Sequence, residues 1–321
     1  TVFDGNGDYL SGSVLQHCIV EYANEIGEGA VWTGPFSHPP FIDSCTFRNN
    51  SLRQTGDLIT REANAIFFQA IESVARITNN TFINNRQAIE ISTSFPPSGF
   101  FVTGNLFENN EFGALKAFAG DDGATISGNV ARGDYFWLNA NTAGTINFTD
   151  NELTEGSYVL LQGGSHSITG NLFLGGSRAI DSIEGGDPGT VTISDNSFID
   201  INCAATTGSV AGCAIRMKGP VDPIISNNRF HGISDPGDDG VAITLWRGGT
   251  VSGNIFSGNT GNSLIAKWQN HWQMAKPVLV NNNFLSNSVN YNFQLINDTR
   301  AGAIATNNWW GTTSDTEIQG L

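Results

Sequence analysis

The chain has 321 residues, with 15 Lys and Arg against 30 Asp and Glu, and a formal net charge of −15 at pH 7. So acidic a balance argues against nucleic acid or another polyanion as a general partner, and no stretch approaches the ~20 consecutive apolar residues of a membrane span. Charged residues make up only 14% against a typical ~25%, while Gly numbers 38, so turns rather than charged helices cover the surface.

Residues 1–8 lack a signal-peptide pattern. Within them Asp4-Gly5-Asn6-Gly7-Asp8 sets oxygen ligands at alternate positions, as calcium loops do, but the twelfth position is Leu15 instead of the bidentate Glu. Calcium is therefore the one ion left open, and no cofactor is assigned. The chain enters a strand pattern almost at once, with no amphipathic helix over the first edge. Uncapped β ends invite association, so we expect a fragment or module of a longer protein, with self-association through its ends or trimerisation open to it.

From Cys18 onward one signature recurs. It reads Cys18-Ile19-Val20 and Cys45-Thr46-Phe47, then Asn80-Thr81-Phe82 and Asn105-Leu106-Phe107, with weaker copies at Asn129 and Asn151. It continues as Asn171-Leu172-Phe173, Asn196-Ser197-Phe198, Asn228-Arg229-Phe230, Asn254-Ile255-Phe256, Asn282-Asn283-Phe284 and Asn308-Trp309-Trp310. The anchors are 27, 35, 25, 24, 22, 20, 25, 32, 26, 28 and 26 residues apart. Unequal spacing around a constant core is what stacked coils with variable loops produce, because only the stacked part must superpose. Between anchors lie apolar runs of strand length, such as Ala88-Ile89-Glu90-Ile91, Val159-Leu160-Leu161 and Ala214-Ile215-Arg216-Met217. Helix is predicted to be minor. An Asn at one corner of every coil tolerates left-handed backbone and can bond to its stacked copies, and the ring two residues later would stack on those above and below.

The motifs Ile77-Thr78-Asn79-Asn80-Thr81-Phe82-Ile83-Asn84-Asn85 and Asn307-Asn308-Trp309-Trp310-Gly311-Thr312-Thr313 resemble the repeat and closing turn of the right-handed parallel β-helix family, the pectate-lyase-like superfold. The opening Val14-Leu15-Gln16-His17-Cys18-Ile19-Val20-Glu21-Tyr22-Ala23 is similar to its bacterial surface subgroup. The resemblance covers essentially the whole chain. It implies an all-β, right-handed parallel β-helix solenoid of about twelve coils, one domain over residues 1–321. It leaves function open, because the superfold hosts lyases, hydrolases, epimerases, phage tailspikes and adhesins.

Cys203 and Cys213 bracket an insertion that a disulfide would pin. Cys18 and Cys45 share one rung in adjacent coils, where two buried thiols replacing Asn is the simpler reading and a bond the other. Oxidation of the first pair would place the protein outside the cell.

The resemblance places ligands on an outer face of parallel strands. Aligning the strand after each Asn turn puts Trp32, Phe67, Glu90, Lys116, Leu160, Asp181, Arg216, Thr244, Lys267 and Gln294 in one outward row, with the coil around Trp137 and Asn139 unaligned. Two residues on come Gln69, Ser92, Phe118, Gln162, Lys218, Trp246 and Ile296, with Trp268 and His271 close by. A slip of one residue inverts every such assignment. Of the four lysines, Lys116, Lys218 and Lys267 fall on these strands. Rings beside polar groups suit sugar, whose C–H faces stack on indole, so Glu90, Lys116, Trp246, Lys267, Trp268 and His271 form the candidate substrate-binding set.

For catalysis the best set is Asp181, Arg216 and Lys218, since one coil's step brings Asp181 within about 5 Å of the next row. A lyase or C5-epimerase needs a base and a cation for the uronate carboxylate. Arg216 or Lys218 would supply them, with Asp181 holding either or a calcium ion; a surface ion pair is the plainer alternative. Asp121-Asp122 and Asp238-Asp239 read as turns, with calcium binding or a hydrolytic pair as alternatives. His17, His38, His166, His231 and His271 are dispersed, so zinc chemistry is not expected. The chain thus reads as an extracellular or cell-surface module presenting a polysaccharide-binding face. Binding or structural display comes first, a uronate lyase or C5-epimerase second, and a glycoside hydrolase third.

Overall fold

The computed structural model describes residues 2–3, 9–23, 29–50, 64–93, 99–141, 143–183, 189–203, 214–218, 222–235, 240–268, 276–296 and 302–311. Every named element among them is a β-strand. The chain divides into two compact units, one of Thr1–Glu152 with Gly163–Ser165, the other of Leu153–Gln162 with His166–Leu321.

Both units wind in the same way, and one coil of the first illustrates it. The first-sheet strand Ala75–Thr78 turns a corner into the second-sheet strand Thr81–Ile83, which turns a second corner into the third-sheet strand Gln87–Thr93. A loop then returns to the next first-sheet strand, Phe100–Thr103. Each strand lies parallel to its counterpart in the neighbouring coil, with Ile77 opposite Val102, Phe82 opposite Phe107 and Ile89 opposite Leu115. After the antiparallel pair Val2–Phe3 and Tyr9–Ser11, the described strands make eleven sets of three in chain order, with Ile304–Thr306 left over. The anchors predict about twelve. The last of them, Asn308, precedes only a single-residue bridge between Asn283 and Trp309.

The corners explain the repeat. Position Asn80 places its amide oxygen to accept the Cys45 N–H at 2.9 Å. Its own backbone N–H and Nδ2–H both donate to Asn105 Oδ1, at 2.9 and 3.1 Å, and Nδ2 also donates to the Ile42 carbonyl at 3.1 Å. The same bonding repeats from Asn196 to Asn228, Asn254 and Asn282, and these amides are fully buried. The ladder Asn is not the left-handed residue, however. Positive φ falls on the residue before it, at Asn79, Asp195, Asn227 and Asn281. Where that residue is Gly104, at φ +67°, an added Cβ would sit 2.7 Å from Asn79 Oδ1. The division of labour is physical: one residue bends the chain, and the next, with ordinary backbone, turns its amide inward.

A second ladder, unforeseen from the repeat, occupies the other corner. In the first unit Asn50, Asn85 and Asn110 bond in series through their Oδ1 atoms, and Asn110 donates to both oxygens of Asp134, at 2.7 and 2.9 Å. In the second unit Ile233 N–H donates to Asn259, and Asn259 to Asn287.

The ring column forms as expected. Phe47, Phe82 and Phe107 stack at 5.0 and 5.1 Å, and Phe173, Phe198, Phe230, Phe256, Phe284 and Trp310 stack at 4.8 to 5.0 Å. The weak copy at Asn129 carries Ala131 in place of the ring. There Phe136 of the third sheet meets Phe107 edge-on at 5.7 Å and Phe148 of the first sheet at 5.0 Å, so neighbouring sheets supply the missing volume.

Two predictions follow from the ladders. Asn254→Ala strands the Asn228 donors and the Ile225 and Ser252 carbonyls that Asn254 satisfies. At ~1–3 kcal/mol per stranded buried group, urea unfolding should show a loss of about 3 kcal/mol or more, whereas exposed Asn283→Ala should cost under ~0.5 kcal/mol.

Burial pushes the Asp134 carboxyl up to about 7, opposed by the Asn110 bonds and aided by the charge of Glu108. The folded state therefore holds this proton more tightly than the unfolded chain. Its stabilising effect is complete below about pH 4 and is lost as pH rises through about 7. Asp134→Asn should match the parent near pH 4 and exceed it by a few kcal/mol at pH 8, on the order of 1.4 kcal/mol per pKa unit. Unfolding curves at the two pH values check it.

Candidate functional site

On the third sheet, residues alternate between the core and an outer face, and the register fixes which is which. In the first unit Trp32, Phe67, Glu90, Lys116 and Trp137 lie opposite one another in successive coils. Trp137, which resisted alignment by sequence, thus belongs to the expected row. Two residues on, Ser92, Phe118 and Asn139 follow the same line. Lys116 Nζ is 3.3 Å from Glu90 Oε1. It also lies 5.4 Å from the Trp137 ring and 5.5 Å from that of Phe118. Lys116 is therefore held between a carboxylate and two rings, an arrangement that directs its amine.

In the second unit the row runs Leu160, Asp181, Arg216, Thr244, Ala266, Gln294. Asp181 and Arg216 meet as expected of neighbouring coils. Arg216 Nε donates to Oδ1 at 2.8 Å and Nη2 to Oδ2, a two-pronged clamp. Arg178 approaches the same carboxylate at 3.5 Å while its guanidinium lies 4.1 Å over the Tyr158 ring. Burial raises the Tyr158 hydroxyl above its ordinary pKa, with Arg178 pulling it down and Asp181 pushing it up. The Asp181 side chain is 6% exposed against 19% for Arg216, so the carboxylate is the buried foundation and the guanidinium the outer layer. Lys218 donates its backbone N–H to Ser182 Oγ at 2.7 Å and sets its amine 5.7 Å over the Trp246 ring.

Lys267 is not where the sequence placed it. Ala266 takes the place in the row opposite Thr244, where both are wholly buried, while Lys267 lies opposite Leu245 and Leu295 and is 1% exposed. The assumption that a lysine points outward had set the phase of this strand one residue off. Trp268 pairs with Ile296 at the strand end, and His271, Cys213, Asp187, Asp238-Asp239 and the Asp4 to Asp8 motif lie outside the described residues. Asp121 and Asp122 form a turn closed by the Gly123 N–H on the Gly120 carbonyl. Among the described residues no group of three or more His, Cys, Asp or Glu could hold a metal ion, and no helix is long and apolar enough to cross a membrane. Cys18 and Cys45 are free thiols.

Residues 3–131 match the family model described as the right-handed beta helix region. The three parallel sheets show that both units are wound as a parallel β-solenoid. No curated protein and no solved structure matches the chain. The β-helix fold is compatible with a structural or carbohydrate-related module, and the choice among such roles rests on the outer face.

The site's ion pair can be weighed directly. Arg216→Met removes the main partner of a buried carboxylate while leaving Arg178, and should cost about 2–3 kcal/mol in urea unfolding, below the ~3–5 kcal/mol of a fully orphaned charge. Adding Asp181→Asn should recover at least ~1 kcal/mol, giving a double-mutant cycle with clear coupling.

Proposed function

We propose that the protein is an extracellular or cell-surface module that binds a polysaccharide along the outer face of its third sheet. One observation carries the reading: three basic residues at that face stand against aromatic rings, Lys116 with Trp137 and Phe118, Lys218 with Trp246, and Arg178 with Tyr158. A sugar offers a C–H face that stacks on a ring and, at its edge, hydroxyl or carboxylate oxygens that accept from a cation. Ring and donor are presented together here, in both units. Glu90 adds a polar partner on the same face, while buried Lys267 takes no part in the reading.

A uronate lyase or C5-epimerase built on Asp181, Arg216 and Lys218 is the second reading, favoured by the closeness of Asp181 and Arg216. Against it, Arg216 donates through both prongs of its fork to the Asp181 carboxylate, so those donors are already occupied and not turned to a substrate. The proposed location outside the cell draws support from Cys203, buried at 2%, across an insertion from Cys213. Thiol titration of the denatured protein should find two reactive thiols; four would remove that support.

The test is titration calorimetry against neutral and uronate polysaccharides, with product absorbance followed in parallel. Binding should weaken about tenfold, or ~1.4 kcal/mol, in Trp137→Ala and in Trp246→Ala, with no unsaturated product. Binding to none of the polymers would defeat the proposal, and accumulation of unsaturated product, lost in Arg216→Lys, would replace it with the lyase.

A further inference from the structure

Cys18 and Cys45 stand where the ladder should begin, and neither can replace an asparagine. From Asn80 onward each rung amide accepts and donates at once. At the cysteine rungs the corresponding contact is a Cys18 N–H on Cys45 Sγ at 3.4 Å, a weak acceptor. The Cys45 thiol lies within 3.4 Å of the Leu15 carbonyl and 3.3 Å of its own coil's Asp43 carbonyl, and the Cys18 thiol 3.1 Å from that of Gln16. The coil that carries Cys18 also leaves apolar side chains in solvent: Val14 is 39%, Ile19 64% and Tyr22 65% accessible.

The two thiols are nevertheless aligned. Ile19 pairs with Thr46 and Val20 with Phe47, which sets Cys18 directly over Cys45. Stacked strands lie ~4.8 Å apart, inside the ~4.4–6.8 Å range of Cα separations that a disulfide spans. Both sulfurs are free, Cys18 partly exposed and Cys45 2% exposed.

We propose that this pair is an oxidation site, at which a small-molecule disulfide converts the two thiols into a covalent rung joining the first two coils. Cys18, the more accessible of the two, attacks as the thiolate on one sulfur of the reagent and expels one small thiolate, leaving a mixed disulfide. Cys45, whose thiol burial keeps protonated, then displaces the second small thiolate as it loses its proton. Two electrons pass from the cysteine sulfurs to the reagent, and the two cysteine protons end on the two released thiols. The new bond closes the loop between coils and holds the exposed strand against its neighbour.

The folded 321-residue chain is incubated with glutathione disulfide, then denatured, alkylated and mapped by peptide mass spectrometry. The expected product is a Cys18–Cys45 cross-linked peptide free of glutathione, with amide exchange in Val14–Gln16 and Ile19–Glu21 slowed at least tenfold. In Cys45→Ser, glutathione should remain on Cys18. The proposal is overturned if glutathione persists on Cys18 of the unmutated protein, if both cysteines are recovered alkylated, or if the cross-link forms without slowing exchange in those strands.

Discussion

A primary amide buried in a protein core is a liability unless all its hydrogen-bonding groups find partners, and in this chain most of the partners come from the neighbouring coils, with a carbonyl two residues back, such as that of Ser252 for Asn254, supplying the rest. The oxygen of Asn254 takes both donors of Asn228, and the amide nitrogen reaches forward to Asn282 and back to the Ile225 carbonyl. No single coil can close that account. The corner amide thus forces what the apolar residues merely permit, since rings at 4.8 Å stack well only if the corners beneath them are already in register.

This dependence explains how the interior tolerates defects. Ala131 removes a ring, and Phe136 and Phe148 move into its place from other sheets, because apolar volume is fungible in a core. Substitutions within the ladders are more constrained. Ile201 and Ile233 stand in the second corner as wholly buried apolar residues, where the Ile233 N–H still finds Asn259. Asp134 keeps both Asn110 donors but exchanges an amide for a carboxyl that burial disfavours in its charged form. Cysteine at positions 18 and 45 fits the space and gives up the bonding.

The same asymmetry sets what the sequence makes legible. Asn-x-Phe is visible because stacking demands the same residues in coil after coil, and from it the strand, the ring column and the fold follow. The second ladder was just as visible in Asn80 and Asn85 or Asn105 and Asn110, five residues apart, but it is interrupted by Asp134, Ile201 and Ile233 and so escaped a search for one constant motif. The third sheet is harder because its strands are not counted off from a corner. Its pairing slips between Ile91 and Thr93 and again between Gly240 and Ile243, which breaks any fixed offset from the Asn. Polarity then has to set the phase, and it fails at Lys267, whose inward position beside Leu245 no rule of side-chain preference anticipates.

On the outer face the ladder imposes nothing, since a residue there need not match the one above it. Repetition on that face would require a separate cause, and the pairing of cations with rings is such a repetition. It recurs in each unit with different residues, a lysine beside tryptophan and phenylalanine in the first, a lysine over tryptophan and an arginine over tyrosine in the second. A fold that needed only stability would gain little from it, because partly exposed cation–ring contacts contribute about 0.5–1 kcal/mol each. A chain with 15 basic residues and 30 acidic ones has few cations to place, and although Arg76 over Phe101 and Arg86 over Phe112 form the same contact off that face, its recurrence on the third sheet is what the proposed ligand, with an apolar face and electron-rich edges, would use.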